Sequence, residues 1–187
     1  STLRDDNATL TCDLTNPDLF DEKGQLVLGH DLIHLRRSRF LWNGGCFERL
    51  VLRNFDAEKR RVSIEIAFAA DFADLFEVRG SQRERRGAHH PAEIGDNRVV
   101  LSYTGLDGLR RATTIAFDPA PARLSGSSAI FILELQPRES VSLFLEINCG
   151  FEGGNQPPRR AFFSALRDAR RALRQSAARA ASITTSN

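Results

Sequence analysis

From Leu10 to Ile147 the apolar residues of this chain recur, run after run, at every second position; after Pro158 they recur at every third and fourth. A period of two places side chains on alternate faces of a strand, and a period near 3.6 gathers them on one stripe of a helix. The first pattern is carried by Leu10, Cys12 and Leu14 and by Ile33, Leu35 and Leu41, after which a return strand carries Phe47, Leu50 and Leu52. Its clearest instance is Val62, Ile64, Ile66, Phe68 and Ala70. It resumes in Val99, Leu101 and Tyr103, then Thr113, Ile115 and Phe117, then Phe131, Leu133 and Leu135, then Val141, Leu143, Leu145 and Ile147. Turn residues separate the runs: Asn16-Pro17-Asp18, Asn43-Gly44, Asn54-Phe55-Asp56 and Gly105 to Gly108. Eight or nine short strands joined by tight turns predict a mainly β chain, an antiparallel β-sandwich.

Residues 150–158 hold three Gly and two Pro and read as a linker. Beyond it Phe162, Leu166, Ala169, Leu173, Ala177 and Ala180 predict one amphipathic helix over about 159–181, with a polar tail to Asn187. The expected organisation is a β-sandwich domain over 1–150, then linker and helix over 151–187. Residues 18–24 and 81–97, polar and interrupted by Gly and Pro, are expected to be surface loops.

The net charge of +2 gives no overall bias toward nucleic acid, although arginines concentrate at 79–86 and 159–179. Those arginine runs lack the interleaved aromatics of a nucleic-acid groove. No apolar run approaches the ~20 residues of a membrane span. Three scattered cysteines, Cys12, Cys46 and Cys149, fit reduced thiols better than a disulfide framework, and the first residues have no signal-peptide layout. A cytoplasmic protein is expected. The chain lacks Met altogether and is expected to be a fragment.

Candidate chemistry centres on Asp71 to Gly80, where the strand period gives way. Asp71 is expected to cap a short turn with Phe72, Leu75 and Phe76 on one face, Asp74 complementing its backbone N–H groups and Gly80 ending it. Asp71, Asp74 and Glu77 do not read as an acid/base pair for glycoside hydrolysis: capping explains the first two, and Glu77 is expected to pair with Arg79. No catalytic residue is therefore assigned. His30 and His34 lie about 13 Å apart along a strand and cannot share one zinc, so no metal site and no cofactor are expected. Trp42, beside the Asn43-Gly44 turn, and Tyr103 are the candidate platforms for stacking on a sugar ring; packing inside the fold is the competing reading.

The stretch DFADLFEVRG at 71–80, followed by Arg83-Glu84-Arg85-Arg86-Gly87, resembles the N-terminal, non-catalytic domain of bacterial glycogen-debranching-type (amylo-α-1,6-glucosidase-like) enzymes. So do Leu14-Thr15-Asn16-Pro17-Asp18, Arg37 to Trp42, Phe47-Glu48-Arg49-Leu50, Arg53-Asn54 and Tyr103 to Gly108, in order, over roughly residues 8–150. The resemblance implies a large twisted sandwich (a supersandwich) standing before a catalytic domain built as a toroid of helices, which holds the acid and base. It implies that Asp71, Asp74, Glu77, Arg79, Arg83 and Arg86 form a patch that docks on that domain and shapes its cleft, with α-glucan as a further partner. Self-association of the fragment through the uncovered surface is also expected. A glycan-binding module and a small stand-alone enzyme remain as alternatives.

Overall fold

The computed structural model describes residues 2, 3, 8–151 and 154–177. In chain order the strands are β1 (Thr2–Leu3), β2 (Leu10–Thr15), β3 (Leu19–Phe20), β4 (Leu26–Leu28), β5 (Ile33–Trp42), β6 (Gly45–Asn54) and β7 (Arg60–Ala67). A short helix α1 (Leu75–Val78) follows. Then come β8 (Ala88–His89), β9 (Glu93–Ile94), β10 (Arg98–Thr104), β11 (Arg110–Asp118), β12 (Arg123–Leu124), β13 (Ser128–Leu135) and β14 (Ser140–Cys149), and last the helix α2 (Pro158–Ala177). The mainly β, antiparallel reading with one long C-terminal helix holds. The strands of six residues or more match the alternating runs; the six additional strands have only two or three residues each. Four of those, β3, β4, β8 and β9, fall in or beside segments expected to be loops. They are too short to carry a period.

A nine-stranded sheet runs β1-β2-β5-β6-β14-β11-β10-β8, with β9 also on β10; a three-stranded sheet runs β12-β13-β7; β3 and β4 form a separate hairpin. Every pair is antiparallel, and directly paired residues share a face. Leu50 opposite Leu143 and Leu52 opposite Val141 thus point to one side, while Phe47 opposite Glu146 and Arg49 opposite Phe144 point to the other.

The first side faces the small sheet. Leu52, Val99, Phe117, Phe131, Leu135 and Leu143 are buried there, with Val62, Ile64 and Ile66 of β7 packed against them. Removing each such side chain from water stabilises the fold by about 1.5–3 kcal/mol. Asn54 is fully buried and links the sheets through the backbone. Its amide donates to the carbonyls of Glu58 (2.8 Å), Leu135 (3.1 Å) and Gln136 (3.2 Å), and its oxygen accepts from the Asp56 N–H (2.9 Å). Toward β2 the same face carries Glu48, buried beneath Arg37 and Arg39. Arg37 donates from Nη2 to Glu48 Oε2 at 3.1 Å, and Arg39 from Nε to the same oxygen at 2.7 Å. Two guanidinium partners are what make a buried carboxylate tolerable.

The second side is closed by α2. Pro158 starts the helix, where a missing N–H costs nothing. Phe162, Ala165 and Ala169 are buried, at the i, i+3, i+7 spacing of one stripe. Phe162 meets Phe40 at 5.2 Å and Phe144 at 5.6 Å, both edge to face, and Phe40 stacks on Phe47 at 5.2 Å. Leu173, expected on the buried stripe, is 40% exposed. The predicted positions 178–181 lie outside the described residues.

Candidate functional site

Where β7 leaves the small sheet, the backbone turns at Phe72 into the left-handed region (φ 51°), rare for a bulky side chain. The turn lays the Phe72 ring on Tyr103, at 5.5 Å and 11° between planes, with His89 at 5.8 Å. Asp71 Oδ1 accepts from the Ala73 N–H at 3.0 Å, and the Asp71 carbonyl accepts from Arg86 at 2.7 Å. Asp71 therefore shapes the turn before the helix.

The cap is Asp74. Its side chain accepts from the backbone N–H groups of Phe76 (2.9 Å) and Glu77 (2.8 Å), while Glu77 accepts from the Asp74 N–H (3.0 Å), closing a capping box. This corrects the expectation for Asp71, and Phe72 stands outside the helix. Glu77 pairs with Arg86 (3.1 Å) and, more loosely, with Arg83 (3.8 Å), and Arg83 also holds Asp74. The expected Glu77–Arg79 pair is not formed: Arg79 supplies the C-cap, donating its N–H to the Leu75 and Phe76 carbonyls. Gly80 follows at φ 97°, where it stops the helix as expected.

The side chains of Asp74, Glu77, Arg83 and Arg86 are thus brought together to face one another, and Asp71 joins them through its backbone carbonyl. With the polar groups turned inward, the apolar ones point out: Leu75 is 59% exposed, Phe76 64% and Val78 72%. Sequence reasoning missed this inversion. The Asp74-x-x-Glu77 spacing of a capping box was the signal for it.

The segment after α1 is pinned from the other side. Gly87 donates its N–H to the Tyr103 hydroxyl at 2.6 Å, and a Cβ there would stand 1.9 Å from the Thr104 carbonyl oxygen. Only glycine permits that approach. Beside it, a cleft of about 430 Å³ runs between Phe72–Asp74, the start of β11 and Phe151, with Arg110 over the Phe151 ring at 4.8 Å.

Of the two candidate sugar platforms, Tyr103 is buried under Phe72 and His89 and presents no free ring face. Trp42 is half-buried against the Phe40–Phe162 cluster and borders a cleft of about 610 Å³ shared with Leu10, Leu41 and Leu173. Among the described residues no three His, Cys, Asp or Glu side chains converge on a metal position, and no helix is long and apolar enough to cross a membrane.

Residues 1–146 match the family described as the N-terminal domain of some glycogen debranching enzymes. No curated protein matches the sequence. Solved structures with a similar arrangement include a polysaccharide lyase (17% identity, TM-score 0.42, 79% of this chain and 24% of the lyase). A human-microbiome protein described as a kojibiose phosphorylase gives 12% identity and TM-score 0.39, over 76% of this chain and 21% of its own. A Synechocystis protein gives 12% and 0.47, over 79% and 63%. The chain spans a quarter or less of the first two.

Proposed function

The chain belongs to the family of N-terminal domains of glycogen debranching enzymes, and we propose that it is a non-catalytic β-sandwich that docks on a helical catalytic domain of the same parent enzyme and shapes one wall of its cleft. The observation that carries this reading is α1: three exposed apolar side chains, Leu75, Phe76 and Val78, held out by a capping box and two arginines. A four-residue helix does not persist in water unaided. This one is fixed by Asp74, Glu77, Arg83 and Arg86, so its apolar surface is preorganised, which lowers the entropic cost of association. The parent is read as an amylo-α-1,6-glucosidase-like hydrolase acting on α-glucan. Three free thiols fit a reducing, cytoplasmic setting.

The carboxylates of the patch are spent on capping and ion pairing, so the isolated chain is expected to leave limit dextrin uncleaved. Turnover by the pure chain that is lost on Asp74→Asn or Glu77→Gln would overturn the non-catalytic reading.

A further inference from the structure

Among the described residues two buried side-chain polar atoms lack a hydrogen-bond partner, Thr9 Oγ1 and Arg170 Nε, and both residues line one cleft of about 290 Å³ between α2 and the large sheet. Unsatisfied buried groups are rare in native folds, and two on one cavity point to a group that belongs between them. The charges of the cleft define that group. Arg36 is already matched by Asp13, at 2.8 Å. Arg49 is not matched among the described residues: its guanidinium donates to the Ser142 hydroxyl, at 3.0 and 3.3 Å, and lies over the Phe144 and Phe163 rings at 5.6 and 5.8 Å. Burial, and then the charge of Arg159, disfavour its cationic form and lower its pKa. Among the described residues Arg170, on α2 and lining the same cleft, has no carboxylate partner either. Two guanidinia therefore share one space in which the carboxylate among the described lining residues, Asp13, is taken by Arg36 and His34, beside the Thr11 and Ser38 hydroxyls and an apolar wall of Phe162 and Phe163.

We infer that this cleft binds the phosphoryl group of a small phosphorylated molecule, with Arg49, Arg170 and Thr9 on its oxygens and the organic remainder toward Phe162 and Phe163. Guanidinium forks suit phosphoryl oxygens, and a phosphoryl group carries one more free oxygen and more negative charge than a carboxylate, enough to serve both arginines and the Thr9 hydroxyl. The volume sits at the small end of ligand pockets, which run from about 300 Å³ upward. The site lies on the helix-covered side of the large sheet and is independent of the docking surface.

The test is calorimetric titration of inorganic phosphate into the 187-residue chain, with sodium chloride holding ionic strength constant. Saturable one-to-one binding is expected, weakened about tenfold by Arg170→Gln and severalfold by Thr9→Val, and unchanged by Arg171→Gln, which removes the same charge from an exposed position outside the cleft. Thr9→Val leaves the charge intact and serves if Arg170→Gln disturbs the helix by circular dichroism. Absence of saturable binding, equal weakening by Arg170→Gln and Arg171→Gln, or acetate binding as tightly as phosphate would each overturn the inference.

Discussion

The two helices are built inside out with respect to each other. α2 has twenty residues, turns Phe162 and Ala165 onto Phe40, Phe47 and Phe144, buries Ala169, and leaves Arg171 and Arg174 exposed. α1 has four residues, buries none of them, turns Glu77 and its N-cap Asp74 toward Arg83 and Arg86, and leaves Leu75, Phe76 and Val78 exposed. Apolar burial holds the first; satisfied backbone N–H groups and ion pairs hold the second. A helix whose apolar residues do no folding work has them free for association. In α2 the Phe162–Ala165–Ala169 part of the apolar stripe is consumed by the fold, and the exposed Arg171 and Arg174 are a solvated face.

That contrast can be broken by mutation. Phe162→Ala should cost about 3–5 kcal/mol in a denaturant melt, since the ring is buried among three others. A loss below about 1 kcal/mol would mean that α2 is not seated on the sheet. Gly87→Ala should cost about 1–3 kcal/mol, because the new Cβ must push β10 and the segment after α1 apart. Hydrogen exchange should then show faster opening around Tyr103, and unchanged protection would place Gly87 elsewhere. Asp74→Ala should remove about 0.5–2 kcal/mol, confined to α1. Its amides should exchange freely while the global melt barely moves; a large global loss would mean that the capped turn is part of the core.

The sequence made the architecture legible because a half-buried strand announces itself every second residue, as in Val62, Ile64 and Ile66, and a docked helix every third and fourth. It made the site legible only in part. Asp71 and Asp74 are both good N-caps, but only Asp74 has a Glu three residues on, and that spacing decides between them. Glu77 and Arg79 are neighbours in sequence yet two apart on a helix, where side chains diverge; the true partners, Arg83 and Arg86, return through a turn that no local pattern encodes. The Arg36–Arg37–Arg39 run likewise splits by strand register, Arg36 to Asp13 on one face and Arg37 and Arg39 to Glu48 on the other. Such pairings depend on which strands are neighbours, and periodicity is silent on that.

The proposed docking role of α1 is tested most directly by separating stability from association. Phe76→Asp and Val78→Asp replace exposed side chains and should leave the melt of the isolated chain within about 0.5 kcal/mol. In the parent enzyme the same pair should loosen the contact between domains, because each buried apolar side chain contributes about 1.5–3 kcal/mol to an interface. Limited proteolysis of residues 150–158 reads this out: cleavage of the double variant should be at least tenfold faster than that of the natural enzyme. Equal cleavage rates, with glucan hydrolysis undiminished, would show that α1 faces solvent in the whole protein and docks on nothing.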